Sequence, residues 1–518
     1  MLEAGDLGSA DVIVVGGGNA ACCAALSARE AGARVLMLEA APEELSGGNS
    51  RFTGGGYRFA FNGIDDLAEL MPDLSEAERE TLDFGSYPES RFFDDMGRTT
   101  NYRTDPELCE ILVTKSFETM AWLRGKGVRF EPSFGHTFKV GGRLKFWGGL
   151  ACVVSGGGPG LVEAEYKACA EAGIPIVFDT SATDLLLDPD RRVRGVRAVL
   201  RGRTVELAAD AVVLACGGFE ASAEMRARYL GPGWDVAKVR GTRFNTGGGI
   251  RMALDAGAMS YGHYSGCHSV GWELNAPPFG DLAIGDQFQK HSYPLGVMVN
   301  ARGERFVDEG ADIRIYTYAK YGSVILKQPD MFAWQIFDAK SIALLRGEYR
   351  IRQVTKVTAG SLEELVGKLD GVDAEACLRE IAAFNRAAIS DRPFDPTVKD
   401  GRRTIGLAIP KSNWARPIDT PPFEAYAVTC GVTFTFGGVK ISRGAEVEDV
   451  AGRPIPGLYA AGEMVGGLFY HNYPAGSGLL SGSVFGRIAG SSAAAHARAR
   501  ASAAAPSPSP SAPAMPSI

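Results

Sequence analysis

No C-x-x-C pair occurs in this chain, and its nine cysteines, at 22, 23, 109, 152, 169, 216, 267, 377 and 430, are scattered. That spacing offers no metal cage, no iron–sulfur cluster and no C-x-x-C-H haem attachment. Cys22 and Cys23 read as small packing residues. No apolar run approaches the length of about 18 residues that a membrane-spanning helix needs. The N-terminal MLEAGDLGSA has neither a charged n-region nor an apolar h-region. No signal peptide is expected, and the expected compartment is the cytoplasm. An excess of basic residues is also missing, since the net charge is −7. Nothing electrostatic favours nucleic acid or an anionic membrane surface as a partner. No internal repeat is evident.

What is present suits a large enzyme. The 518 residues, 45% hydrophobic, can bury a substantial core in two domains or one elaborate one. Sixty-six glycines, many clustered, suit a backbone that must approach a cofactor closely. The apolar run Val12–Val15 leads into Gly16-x-Gly18-x-x-Ala21 and then a helical pattern. Gly16 permits the tight turn, Gly18 lets backbone approach a pyrophosphate, and Ala21 keeps helix and strand close. The helix N-terminus adds N–H groups and positive dipole for the phosphates. Glu39 ends the next apolar strand about 20 residues on, where a carboxylate accepts ribose hydroxyls. Near the other end, Glu463 in LYAAGE is placed to accept from a ribityl or ribose hydroxyl. Gly476-Ser477-Gly478-Leu479 then opens a helix whose dipole would stabilise the negative charge of a reduced flavin by roughly 0.3–2 kcal/mol. Both ends therefore point to FAD.

The expected fold is α/β, a Rossmann-like FAD-binding domain with an inserted α+β capping domain. The first part of the FAD domain is expected over 1–261. It contains the helix VEAEYKACAEAG, the strand IPIVFDT, and a ribbon ending in AVVLACGG (Ala211–Gly218). The cap, rich in aromatics, is expected over 262–432. The FAD domain should resume over 433–496, and a flexible tail should follow over 497–518, where the composition cannot bury enough apolar surface to order itself.

Nearly the whole chain, from Asp11 to about Gly490, resembles the flavoprotein subunit of the succinate dehydrogenase/fumarate reductase superfamily. The matching pieces are VIVVGGGNAA, SGGNSRFTGGG, DAVVLACGGF, FNTGGGIRMALDAGA, VMVNARGERFVDE, TFTFGGVKI, LYAAGEMVGG and VFGRIAG. GADIRIYTYAKYG, YSGCHS and LFYHNYPAGSGLLSG are similar to FAD-dependent tricarballylate dehydrogenase. The resemblance implies hydride transfer between the flavin and a carbon beside a carbonyl or carboxylate, with proton exchange at the neighbouring carbon. It places the cofactor against Gly16, Gly18, Asn19, Ala20, Glu39 and Ala40. It adds Gly48, Asn49, Ser50, Thr53, Gly54 and Gly55 from SGGNSRFTGGG, then Ala182, Ala215 and Gly217. Toward the C-terminus it adds Glu463, Gly476, Ser477, Leu479 and Leu480.

Departures from the superfamily pattern narrow the reading. Phe52 stands where covalent members carry a flavin-bearing histidine, which implies noncovalent FAD. Phe434 and Tyr473 replace the histidine and arginine that clamp a C4-dicarboxylate. The T-E-x-x-R proton relay is absent, since the region reads FQKHSYPLG. Plain succinate or fumarate chemistry is therefore not expected. Tyr473-Pro474-Ala475-Gly476-Ser477 resembles the Y-P-G-x-G run of 3-ketosteroid dehydrogenases, which implies that Tyr473 and a backbone N–H four residues on bind a substrate carbonyl. Two such donors would stabilise enolate character, each by roughly 3–4 kcal/mol. The alternative for Tyr473 is packing over the flavin. His471 would donate to the same substrate or orient Tyr473.

Arg314, five residues after Glu309, lies near the superfamily's catalytic arginine with one extra residue; otherwise it pairs with Asp308 or Asp312. His268 matches a substrate-binding histidine, or is a satisfied histidine of the cap. Tyr316, Tyr318 and Tyr321 are the fallback acid or base. Lys290, His291, Arg58 and Arg243 are further carboxylate partners or merely exposed charges. The leading expectation is a desaturase, or in reverse a reductase, acting beside a carboxyl or carbonyl group on a tricarballylate-like substrate. One alternative is a bulkier neutral carbonyl compound, such as a ketosteroid or specialised metabolite. Another is a non-catalytic electron-transfer subunit. Electrons leaving the flavin are expected to pass to an external acceptor.

Overall fold

A computed structural model describes residues 10–146 and 149–504. Strand β1 (Ala10–Val15) is almost wholly buried, as its β-branched run requires of a strand covered on both faces. It leads through the glycine turn into helix α1 (Asn19–Glu30) and returns as β2 (Val35–Leu38), parallel to β1 with Val12 opposite Val35. Helix α2 (Gly157–Glu171) crosses to β3 (Ile176–Val177), which extends the sheet beside β2. An antiparallel ribbon follows, β4 (Thr180–Leu187), β5 (Val193–Leu200) and β6 (Arg203–Leu214). The far end of β6 joins the main sheet parallel to β1, with Val12 also opposite Ala211.

The second sheet is built on two long strands, β7 (Ser260–Glu273) and β11 (Phe423–Val439), paired antiparallel from Ser260↔Val439 to Glu273↔Val428. Between them in the chain come β8 (Val297–Val299), helix α3 (Tyr318–Leu326), β9 (Ala333–Asp338) and β10 (Lys356–Ala359). Strands β9 and β10 both pair with β11, and β8 pairs with β9. The chain then returns to the first sheet through β12 (Glu446–Glu448) and β13 (Pro454–Ala460), the latter parallel to β6. It ends in helix α4 (Ser477–Ala504). No helix of the described residues is long and apolar enough to cross a membrane.

Two expected boundaries fall inside strands. Position 261/262 lies in β7 and 432/433 in β11, and Lys238–Val239, upstream of the first boundary, pairs with Gly431–Val432. The cap sheet is thus continuous with the strands that reach the cofactor layer. Residues 497–504, expected to belong to a flexible tail, are helical. Helix α4 continues through Ala504, with Ala497 buried at 4% exposure and Arg500 paired to Asp210 at 3.2 Å. Residues 505–518, like the first nine, lie outside the described residues.

Small residues explain how α4 meets α1. A Cβ on Gly486 would sit 2.6 Å from the Ala20 carbonyl oxygen, and one on Gly490 would sit 2.0 Å from that of Ala24. This close approach sets the N-termini of both helices on one cleft. Asn19 ties them, donating from Nδ2 to the Leu479 carbonyl at 2.8 Å and accepting from the Ser483 hydroxyl at 2.9 Å.

Candidate active site

The cleft has a volume of about 540 Å³ and two kinds of lining. The first is glycine-rich and comes from the motifs of the first sheet. Gly16 has φ 122°, and a Cβ there would meet the Ala215 carbonyl at 2.3 Å, so only glycine fits the turn. Ser50 Oγ accepts the Asn19 N–H at 3.0 Å, holding the SGGNS segment on the start of α1. Glu39 Oε1 accepts the Ala41 N–H at 2.8 Å, and burial pushes its carboxyl up to about 7. Of the cofactor residues expected from sequence, seventeen line the cleft, among them Ala182, Gly217 and Glu463. Gly55, Ser477 and Leu480 do not: Gly55 packs on Gly157, and Ser477 and Leu480 are buried in the first turn of α4. Gly17, which stands between the motif glycines, also lines the cleft; a Cβ there would lie 2.4 Å from Glu39 Oε2 and 2.7 Å from the Tyr166 hydroxyl. A glycine cradle, two helix N-termini and a buried carboxylate after the second strand fit a flavin dinucleotide.

The second lining is a polar chamber. The Tyr318 and Tyr473 hydroxyls share a hydrogen bond of 2.9 Å. His268 and His291 flank Tyr318 with ring centroids 5.0 and 4.9 Å away, and His268 lies 4.7 Å from Tyr473. Both imidazoles are buried with Nε2 unpartnered, and desolvation holds both well below the usual histidine range, so both are neutral. Phe434 stacks nearly parallel to Tyr473 at 6.4 Å.

Three arginines line the chamber. Arg240 is paired with Asp286 at 2.6 Å and Arg346 with Glu348 at 3.0 Å. Among the described residues, none forms a hydrogen bond or ion pair with the Arg314 guanidinium. Of its expected partners, Asp308 instead accepts from Ser412 and Asp312 pairs with Arg98 and Lys399. Burial, then the charge of Arg346, bring the Arg314 guanidinium down to about 10.

Structure thus brings Arg314, Tyr473 and His268 together but not His471. That residue is exposed, has φ 61°, and lies outside the cleft lining with its N–H on His263 Nδ1 at 3.0 Å. Tyr318 is the member of its cluster that reaches the chamber. Tyr316 donates to Asp95 at 2.8 Å and Tyr321 to the Asp308 carbonyl at 2.6 Å. The second carbonyl donor expected beside Tyr473 is engaged, since the Ser477 N–H donates to the Pro474 carbonyl at 3.2 Å. Lys290 is fully buried against Glu273, Arg58 against Asp95, and Arg243 lies over Phe279. Phe52 lines a separate apolar cavity with Phe244 and Phe279. Arg240, Asp286, Arg346 and Glu348 belong to no motif; they converge from three separate segments, with Asp286 and Glu348 in short 3-10 helices.

A family model described as an FAD binding domain matches residues 11–480. The chain is 29% identical over 505 residues to a probable fumarate reductase of Shewanella frigidimarina, covering 95% of this chain and 76% of that one. It superposes on the open conformation of a flavocytochrome c3 fumarate reductase with a TM-score of 0.71 at 27% identity, covering 94% and 78% of the two chains. On 3-ketosteroid-Δ4-(5α)-dehydrogenase from Rhodococcus jostii RHA1, in complex with 4-androstene-3,17-dione, the TM-score is 0.68 at 25% identity, covering 94% and 97%.

Proposed function

Since the chain belongs to the FAD binding domain family of succinate dehydrogenase/fumarate reductase-like flavoproteins, we propose that it desaturates, or in reverse reduces, an uncharged carbonyl compound. FAD is its cofactor, and it is an oxidoreductase of CH–CH groups beside a carboxyl or carbonyl. The observation that carries the finer reading is the charge count of the chamber. Among the described lining residues only Arg314 is an unpaired cation, because Asp286 and Glu348 neutralise the other two arginines. Three substrate carboxylates, as in tricarballylate, would leave two without a counter-ion, and a buried unpaired charge is heavily penalised. A monocarboxylate seated on Arg314 is the second reading that this free guanidinium favours.

When bound, the flavin supplies a two-electron hydride acceptor, and an external acceptor then takes the electrons onward. The protein does the rest. Two hydroxyl hydrogens sit on Tyr318 and Tyr473, and one is spent between them. With Tyr318 as the donor of that bond, the Tyr473 hydrogen is left to polarise the substrate oxygen. Arg314, held nearer to working pH than a solvated arginine, takes the proton from the carbon beside the carbonyl in its neutral guanidine form and, in the reductive direction, returns it as the guanidinium. His268 and His291 offer neutral Nε2 atoms to further polar groups without adding charge. Difference absorbance of oxidised holoenzyme tests the preference. A steroid-like ketone should perturb the flavin bands saturably at lower concentration than tricarballylate or succinate. Tighter binding of tricarballylate would contradict the reading.

A further inference from the structure

Two carboxyls that take no part in the chemistry above lie behind the turn at Ala215–Gly218. Glu220 is fully buried, and Glu463 is 8% exposed at the cleft wall. Glu220 Oε1 accepts from Asn49 Nδ2 at 2.5 Å and from Asn245 Nδ2 at 2.6 Å. Asn49 cannot be flipped, because its Oδ1 accepts the Thr242 N–H at 2.8 Å and its Nδ2 also reaches the Thr433 carbonyl at 2.7 Å. Glu463 Oε1 accepts both the Thr435 N–H at 2.6 Å and the Thr435 hydroxyl at 2.9 Å. Among the described residues, no amide, hydroxyl or cation serves Glu220 Oε2, and the two carboxyls meet each other.

The other titratable groups facing Glu220 are Arg226 and Cys267. Arg226 spends its guanidinium on the main-chain carbonyls of Glu220, Trp234, Asp235 and Ala237. Two ionised carboxylates here would be buried like charges, with Arg226 bonded to main-chain carbonyls rather than to either of them. One proton between them removes the repulsion and fills the empty site on Oε2.

We propose that Glu220 is a carboxylic acid in the folded protein, and that its proton, donated to Glu463, positions Glu463 at the cleft wall as an anionic acceptor for a cofactor hydroxyl. Glu220 is a positioning residue, and its role rests on Glu463 facing the cofactor. Burial pushes both carboxyls upward, in keeping with a retained proton. The turn is pressed onto the pair: a Cβ on Gly218 would lie 2.1 Å from Glu463 Oε1 and from Thr435 Oγ1. Only the proton's position distinguishes this arrangement from plain packing.

Infrared difference spectra of the full-length apoprotein at neutral pH, wild type minus E220Q, should show a protonated carboxylic C=O band that shifts in D2O. Glutamine keeps a donor toward Glu463 and an acceptor for the two asparagines, so E220Q should bind FAD within about threefold of wild type, whereas E220L should lose about tenfold or more. Absence of the acid band would overturn the proposal, as would equal FAD affinity in E220Q and E220L. If E220L does not fold, the band in the E220Q comparison still decides. E463Q separates the underlying assignment: unchanged FAD affinity there would remove Glu463 from the cofactor while leaving the shared proton to the infrared result.

Discussion

The Tyr473 hydroxyl meets the Tyr318 hydroxyl and the Gly476 N–H, and this governs what its removal should do. Tyr473→Phe should keep FAD and slow flavin reduction by the true substrate about 10²-fold, the scale of one lost oxyanion donor. Stopped-flow absorbance measures it; a wild-type rate would make Tyr473 a packing residue over the flavin. Arg314→Ala should be more damaging, and Arg314→Lys should rescue little, because the planar fork is lost. Glu39 links FAD binding to pH. Its carboxyl is raised to about 7 by burial, and accepting sugar hydroxyls favours the ionised form. Binding below pH 7 must therefore release a proton, so affinity should fall as pH drops through about 7. Titration of apoprotein with FAD across pH checks this, and E39Q should flatten the dependence. Phe52 offers no nucleophile, so FAD should leave on acid or heat denaturation; flavin remaining with the precipitate would refute noncovalent binding.

At this scale the sequence was most legible where a residue's backbone is the function. Gly16 and Gly217 could be read because only a bare backbone fits their turns. Arg314 was readable as a position but not as an unpaired charge, because its nearest acids in sequence are used by Arg98, Lys399 and Ser412. His471 misled because a left-handed φ turns the chain at that residue.

Among the elements, the contact of α1 with α4 bears the most on cofactor binding. Gly490→Ala would force a methyl against the Ala24 carbonyl. Overpacking of this kind costs about 1–3 kcal/mol. The expected result is a lower Tm together with weaker FAD retention, because both cofactor-facing helix ends move. Unchanged melting with full flavin content would show that the helices can separate without cost. Truncation after residue 496 should also destabilise, since it removes the buried Ala497 and the Arg500–Asp210 pair. The motif glycines of α4 were visible in the sequence, but their partner surface on α1 was not. Composition alone placed the tail at 497, and the alanine-rich helix overrides it because one of its faces is covered.

Across the whole molecule, the two sheets were legible as texture, with nucleotide motifs at both ends and aromatics between. Their junction was not, because β7 and β11 run through it unbroken. The chamber's arginines come from residues 240, 314 and 346, and their acids from 286 and 348. Arg346 and Glu348 are near in sequence, but nothing local reveals that Asp286 cancels Arg240, and the proposed preference for an uncharged substrate rests on that cancellation. The most direct test is anaerobic bleaching of the holoenzyme's flavin by a panel of a steroid-like ketone, a monocarboxylate, succinate and tricarballylate. The ketone is expected to remove the absorbance of oxidised FAD, and tricarballylate and succinate to leave it intact. Rapid bleaching by tricarballylate, with the ketone inert, would contradict the account.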